Sequence, residues 1–173
     1  LNVDNRTYSL SRSYDAGNRP VSHTFDDGHS QHWSYNARNL VTNVSYDGEQ
    51  VLSQTHDAGY RLATQVLGNG LTRQLTYGRL DNLRTKDVTS DNAAIASLDF
   101  SYTYNVDKQV TAESTAGSFL DDSSFTATYD AGDRLKSWVR PGSVATGSRQ
   151  HEYWTYDDAG NQTKVTRDGS ADD

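Results

Sequence analysis

The sequence has no cysteine and no methionine, and only 2 of its 173 residues are proline. Without cysteine the chain has no disulfide, no thiol nucleophile and no thiolate metal site. No run of about 18 apolar residues occurs, so the sequence predicts no helix that spans a membrane. Lysine and arginine together number 16 against 23 acidic residues, which gives a net charge of −7. Because there is no basic stripe to neutralise phosphates, nucleic acid is not a predicted partner.

Hydrophobic residues are also scarce, at 34% of the chain, and the mean hydropathy is −0.84. Such a composition is found in disordered chains. The 11 tyrosines, 3 tryptophans and 4 phenylalanines nevertheless recur in register, which disorder does not require. The lack of methionine and the leucine at position 1 lead us to expect a piece of a longer protein.

A tyrosine-led phrase recurs along the whole chain. A clear copy reads Tyr129-Asp130-Ala131-Gly132-Asp133-Arg134, and similar text surrounds six other positions, which we call anchors together with Tyr129. The seven anchors are Tyr14, Tyr35, His56, Tyr77, Tyr104, Tyr129 and Tyr156, spaced by 21, 21, 21, 27, 25 and 27 residues. Because a fixed period identifies repeat architecture before any local reading, we predict one repeat domain over residues 1–173.

The residues that lead into each anchor alternate with period two. Before Tyr104, for example, Tyr102, Phe100 and Leu98 share one parity, and the residue directly before every anchor is serine or threonine. Alternation of this kind predicts a strand with one buried face. The fold prediction is therefore all-β: tandem hairpins of about 21–27 residues in one curved antiparallel sheet, with an aromatic face and a hydroxyl face.

Turn residues separate the strands. Aspartate or asparagine follows most anchors, and Asp-Gly or Asn-Gly pairs mark a second turn in the middle of several repeats, where such pairs favour two-residue hairpins. Glycine accepts the positive φ that tight turns need. The predicted turn glycines are Gly17, Gly28, Gly48, Gly59, Gly70, Gly132, Gly160 and Gly169.

The phrase Tyr-Asp-Ala-Gly-Asn/Asp-Arg, repeated through the chain, resembles the YD repeat of Rhs-family proteins, bacterial tripartite toxins and teneurins. That resemblance implies a section of a spiral β-sheet shell that encloses or presents a toxin or other cargo segment. It also implies a non-enzymatic structural role in an exported bacterial protein, outside the cell or at its surface. Its partners would be the neighbouring repeats of the parent chain, an enclosed polypeptide, or further copies that associate through exposed sheet edges.

Candidate chemical sites are weaker. His23, His29 and His32 lie close in sequence but match no zinc spacing. Carboxylate oxygens are ligands for calcium, and acidic pairs occur at Asp26-Asp27, Asp121-Asp122 and Asp157-Asp158. Their place in predicted turns already explains them. His56 is interpreted as an amphipathic ring in an anchor slot. We therefore predict no catalytic residue, no metal and no cofactor.

Carbohydrate binding is the alternative function, and hydrolase or lyase activity is a third. Tryptophans on strands can stack on sugar rings, so Trp33, Trp138 and Trp154 are the candidate residues for glycan contact. The parity of Trp138 is opposite to that of Leu135, which predicts that its ring lies on the other face of the sheet.

Overall fold

A computed structural model describes residues 9–117, 124–140 and 151–167, with the backbone alone at 2–3, 6–7 and 150. Every regular element in these ranges is a β-strand. The short strands β1 (Asn2–Val3) and β2 (Arg6–Thr7) pair with each other. The others are β3 (Leu10–Tyr14), β4 (Pro20–Phe25), β5 (Ser30–Tyr35), β6 (Val41–Tyr46), β7 (Glu49–His56), β8 (Leu62–Leu67), β9 (Leu71–Tyr77), β10 (Leu83–Ser90), β11 (Leu98–Tyr104), β12 (Val110–Ala116), β13 (Phe125–Tyr129), β14 (Leu135–Arg140), β15 (Gln150–Tyr156) and β16 (Gln162–Arg167).

The strands β3 to β16 are hydrogen-bonded in chain order, which is the topology of consecutive antiparallel hairpins. The prediction of an all-β protein built from tandem hairpins is therefore confirmed. Each of the seven anchors is the last residue of an odd-numbered strand. Contacts divide the chain into two compact units, Leu1–Gln74 with Thr89–Ala93 and Leu75–Val88 with Ala94–Asp173. The single-domain organisation stays a prediction.

The two sheet faces separate as the alternation predicts. The serine or threonine before each anchor is exposed, and it meets a hydroxyl on the return strand in both units: Ser13 Oγ lies 2.5 Å from Ser22 Oγ, and Thr128 Oγ1 lies 2.6 Å from Ser137 Oγ. The anchors from Tyr35 onward are half-buried on the opposite face. The only apolar side chains that are buried in the described ranges, Val44 and Ala127, lie on this aromatic face.

A β-bulge changes the parity of the return strand. In the β13–β14 hairpin Thr128 pairs with Ser137, but Tyr129 pairs with Leu135, so one extra residue is accommodated at the anchor. Trp138 pairs with Ala127 and therefore shares the aromatic face with Leu135. The prediction that Trp138 and Leu135 lie on opposite faces is wrong, because simple alternation does not count the bulge residue.

The mid-repeat turns are of two kinds. Asp47 and Gly48 both have positive φ, 49° and 86°, as a two-residue type I′ hairpin requires. At Asp27-Gly28 and Asn69-Gly70 only the glycine has positive φ. These two turns are one residue longer, with a type I turn that ends in a glycine bulge, so among the turns that the structure describes the two-residue prediction holds only at Asp47-Gly48.

Candidate functional site at the seams between repeats

We call the contact between one repeat and the next a seam. The anchor tyrosine makes one of its main contacts. Its hydroxyl donates to the backbone carbonyl of the residue six places after the preceding anchor. The four described bonds are Tyr35 to Pro20 (2.8 Å), Tyr104 to Leu83 (2.7 Å), Tyr129 to Val110 (2.9 Å) and Tyr156 to Leu135 (2.8 Å). The half-buried ring and this bond together explain why tyrosine, rather than phenylalanine, recurs at the anchor.

The residue after the anchor closes a turn through its side chain. Asp130 Oδ1 accepts hydrogen bonds from the backbone N–H groups of Gly132 (2.9 Å) and Arg134 (3.0 Å). The same two-bond arrangement occurs at Asp15, Asn36, Asp57 and Asn105. Aspartate and asparagine suit this position because both present an acceptor oxygen at the right reach for an Asx turn.

An arginine five residues after the anchor connects this turn to the next repeat. Arg134 Nε donates to Asp130 Oδ2 (2.7 Å), its guanidinium carbon lies 4.5 Å from the Tyr156 ring centroid, and its Nη1 donates to the Asp157 carbonyl (3.3 Å). Arg19 repeats this pattern with Asp15 and with the Tyr35 ring, at 4.6 Å. A single guanidinium thus makes an ion pair, a cation–π contact and a hydrogen bond across the seam.

These contacts also affect the acidity of the turn. The guanidinium bonds of Arg19 and Arg61 hold the pKa of Asp15 and of Asp57 below the ordinary value for aspartate. At Asp130 the largest cause of the lowered pKa is the backbone N–H of Arg134. The carboxylates are thus stabilised in the charged form, which is the form that makes an ion pair with the arginines.

Two of the repeats that lack this arginine reach the following turn with another side chain. Gln109 Nε2 donates to the Asp133 carbonyl (2.9 Å) in the following turn. Arg38 donates to the carbonyl of Asp57 (3.3 Å) and lies 4.7 Å from the Tyr60 ring centroid. The seam therefore depends on reach and donor capacity, which several side chains supply.

His56 occupies its anchor slot and is half-buried. The carbonyl of Val41, which corresponds to the tyrosine acceptor of other seams, is bonded instead by Gln54 Nε2 at 2.9 Å. His56 Nδ1 is buried and has no hydrogen-bond partner among the described residues. Gln54 therefore takes over the role of the tyrosine hydroxyl in this seam.

In most of the turns that follow the anchors, the residue with positive φ is not a glycine that the sequence predicts. The residue with positive φ lies four places after the anchor, and in all but the last repeat it is not glycine. These residues are Asn18, Asn39, Tyr60, Asp81, Lys108, Asp133 and Gly160. Gly17, Gly59 and Gly132 lie one residue earlier with ordinary φ, whereas Gly28, Gly48, Gly70 and Gly160 do have positive φ. Gly169 lies outside the described residues.

The glycine three places after the anchor makes room for the ion pair. A Cβ on Gly59 would lie 3.2 Å from Arg61 Nε and 3.3 Å from Asp57 Oδ1. Sequence reasoning assigned this glycine to backbone freedom and gave the arginine no role. The co-occurrence of aspartate, glycine and arginine in the copies at Tyr14, His56 and Tyr129 is the signal that links them.

The three tryptophans are half-buried. Trp33 meets His23 edge-on, with ring centroids 4.5 Å apart, and Trp138 lies 5.9 Å from Phe125. Trp154 is paired in register with Val165. Cross-strand packing of this kind stabilises a sheet, and a glycan contact at these residues stays a prediction.

The histidine and acidic candidates are placed with separate partners. His23 lies against Trp33, His29 pairs with Asp47, and His32 Nε2 lies 3.3 Å from Ser30 Oγ. Within the described ranges no three histidine, aspartate or glutamate side chains are grouped as metal ligands. Asp121 and Asp122 lie outside those ranges. The described ranges contain strands and turns, and among them is no helix that could span a membrane.

Consecutive hairpins, an anchor tyrosine, an Asx turn and a bridging side chain define a repeat protein with the Rhs/YD-repeat fold. Among solved structures, the chain is similar to the TcdB2–TccC3 complex without its hypervariable C-terminal region, with 17% identity and a TM-score of 0.74 over 95% of this chain and 9% of that one. It is also similar to the Tc holotoxin pore of Photorhabdus luminescens, with 16% identity and a TM-score of 0.68 over 92% of this chain and 9% of that one.

No protein-family model and no curated protein matches the sequence. At this level of identity the similarity to solved structures establishes the fold. The chain spans about a tenth of the length of the structures that it resembles.

Proposed function

We propose that this chain is a non-enzymatic wall segment of a β-sheet shell in an exported bacterial protein, and that the shell encloses or presents a toxin or other polypeptide segment. The observation that carries this proposal is the seam, whose tyrosine-to-carbonyl bond recurs at four described positions. A contact that repeats in the same form extends a sheet by any number of copies. The similarity to structures of Tc toxin complexes supports a toxin-related setting.

The enclosing role is tested in the parent protein. We expect the segment carried by the shell to resist protease as long as the repeats are folded, because a closed wall excludes the enzyme. Addition of denaturant to the midpoint of repeat unfolding should make that segment cleavable. Cleavage of the segment at the same rate before and after unfolding would contradict enclosure.

The wall role predicts that both edges of the sheet accept a further repeat. The strand order ends at β3 and β16. All five residues of β3 are exposed, and Tyr14 among them is 52% exposed. At the other edge the Gln162 carbonyl holds the acceptor position, six residues after Tyr156, and Asn161 stands where Arg19 and Arg134 stand in other repeats.

The edge contact is testable by adding the missing arginine. Asn161 Nδ2 donates to Asp157 Oδ2 (3.0 Å) and is too short to reach a following repeat. We expect Asn161→Arg to tighten self-association of the chain about three- to tenfold, because one cation–π contact and one hydrogen bond are gained. Tyr14→Phe should weaken it, because the hydroxyl donor of the other edge is lost.

Sedimentation equilibrium measures both effects. Gln74→Arg, which adds the same charge at an exposed strand position away from both edges, is the matched control. If Asn161→Arg and Gln74→Arg associate equally, or if the Asn161→Arg variant is a strict monomer at high concentration, the proposed edge contact is wrong.

A further inference from the structure

One seam of the second unit contains a cavity in place of a bridging arginine. In the turn after Tyr77, Gly78 stands where four of the seven repeats have aspartate, and Asn82 stands where three of the seven have arginine. A cavity of about 360 Å³ lies there. Its lining includes Arg79, Leu80, Asn82 and Arg84 from one repeat and Tyr102 and Tyr104 from the next.

The cavity follows from the missing guanidinium. In the equivalent seams Arg19 and Arg134 cover the faces of Tyr35 and Tyr156 at 4.6 and 4.5 Å. Asparagine at position 82 is shorter than arginine and does not reach across the seam in this way. A second cavity, of about 410 Å³, lies at the seam where Leu40 stands in the arginine position, and its lining includes His56. Loss of the arginine thus coincides with open volume in both cases.

The chemistry of the cavity at Tyr104 favours an anion. Arg79 and Arg84 are exposed, and neither guanidinium has a partner among the described residues. The Asn82 amide is likewise unpaired within those ranges, and none of the described residues that line the cavity is acidic. The chain as a whole has a net charge of −7, so two unpaired arginines at one cavity make a local region of positive charge. Two guanidinium groups bind a carboxylate more strongly than any neutral group.

The remaining wall is an aromatic ring. The Tyr104 hydroxyl is already used by the Leu83 carbonyl at 2.7 Å, so the ring face is the part that a ligand can contact. Leu80, which is 54% exposed, extends this apolar surface. A ring that has an apolar face and carries a carboxylate, such as the pyranose ring of a uronic acid, can satisfy both sides of the cavity, with its C–H face on Tyr104 and its charge on the arginines.

We propose that this cavity binds a ring-bearing carboxylate, with a uronic acid sugar as the best fit. The carboxylate is bound by Arg79 and Arg84, a sugar hydroxyl by the Asn82 amide, and the sugar ring stacks on Tyr104. This site is separate from the three tryptophans, and it does not depend on the enclosing role of the shell.

Binding of galacturonate, followed by chemical-shift titration of the chain, tests the proposal. Arg84→Gln should weaken binding about tenfold, because one charge-assisted contact is lost. Asn82→Arg should weaken it by at least as much while the chain stays folded, because arginine fills this slot in other seams. Lys136→Gln, which removes one positive charge from an exposed strand position outside the cavity, should leave binding unchanged.

Two further ligands define which part of the molecule is recognised. Galactose should bind at least tenfold more weakly than galacturonate, because it lacks the carboxylate. Benzoate that binds more tightly than galacturonate would support the carboxylate-on-ring chemistry and overturn the assignment to a sugar. No binding of either acid, equal binding of galactose and galacturonate, or unchanged binding in Asn82→Arg would overturn the site.

Discussion

Tyr129→Ala should lower the free energy of unfolding by about 2–4 kcal/mol, because it removes both a half-buried ring and the bond to the Val110 carbonyl. Tyr129→Phe keeps the ring and should cost about 1 kcal/mol. The difference between the two variants separates the contribution of the ring from that of the hydroxyl. Equilibrium unfolding in urea, followed by circular dichroism, measures both.

Tyr14 provides the matched control. It is also an anchor at the end of a strand, but the residue is 52% exposed and no described residue accepts a hydrogen bond from its hydroxyl. We expect Tyr14→Phe to change the free energy of unfolding by less than about 0.5 kcal/mol. Equal effects of Tyr14→Phe and Tyr129→Phe would mean that the hydroxyl-to-carbonyl bond does not stabilise the seam.

Gly68→Ala should also be strongly destabilising, at about 2–3 kcal/mol. A Cβ at this position would lie 2.7 Å from the carbonyl oxygen of Gln50 and 3.1 Å from the Cα of Val51. Both atoms belong to the backbone of β7, which is held by the ladders to its neighbouring strands and cannot move without disturbing them. Since the Gly68 N–H also donates to the Val51 carbonyl at 3.0 Å, a shift of the turn would break that bond.

Gly78→Ala is the matched control for this substitution. The φ of Gly78, like that of Gly68, lies outside the left-handed region, and the nearest atom to an added Cβ is the Asn82 carbonyl oxygen at 3.8 Å. We expect it to be neutral or stabilising by up to about 1 kcal/mol, because alanine restricts the unfolded chain. Thermal unfolding of the two variants measures the contrast, and a Gly68→Ala protein as stable as Gly78→Ala would contradict the assigned close approach.

The sequence predicts the features that repeat with the chain period. Period-two alternation before Tyr104 and the hydroxyl before each anchor define the strands and both faces, because a strand places alternate side chains on opposite sides. The Asp-Gly pair at 47–48 defines its turn, because type I′ geometry restricts which residues fit. These features depend only on local backbone geometry, so one repeat is sufficient to predict them.

Features that depend on an extra residue or on the neighbouring repeat were not predicted. The bulge beside Tyr129 shifts the face of Trp138, and alternation alone does not reveal where a bulge lies. Positive φ at Tyr60 and Lys108 goes against intrinsic preference and is imposed by the turn. The role of Arg134 becomes clear only when the Tyr156 ring of the next repeat is in place.

The seam contacts have a direction. Tyr156 donates backward to Leu135 of the preceding repeat, whereas Arg134 extends forward to Tyr156 and Asp157 of the following one. The leading and trailing sides of a hairpin are therefore chemically different, and they fit together in only one order, as in a heterologous contact. A hairpin that is added by tandem duplication of its gene segment has the same leading and trailing sides as its neighbours. Such a chain can therefore lengthen by duplication without the evolution of a new interface.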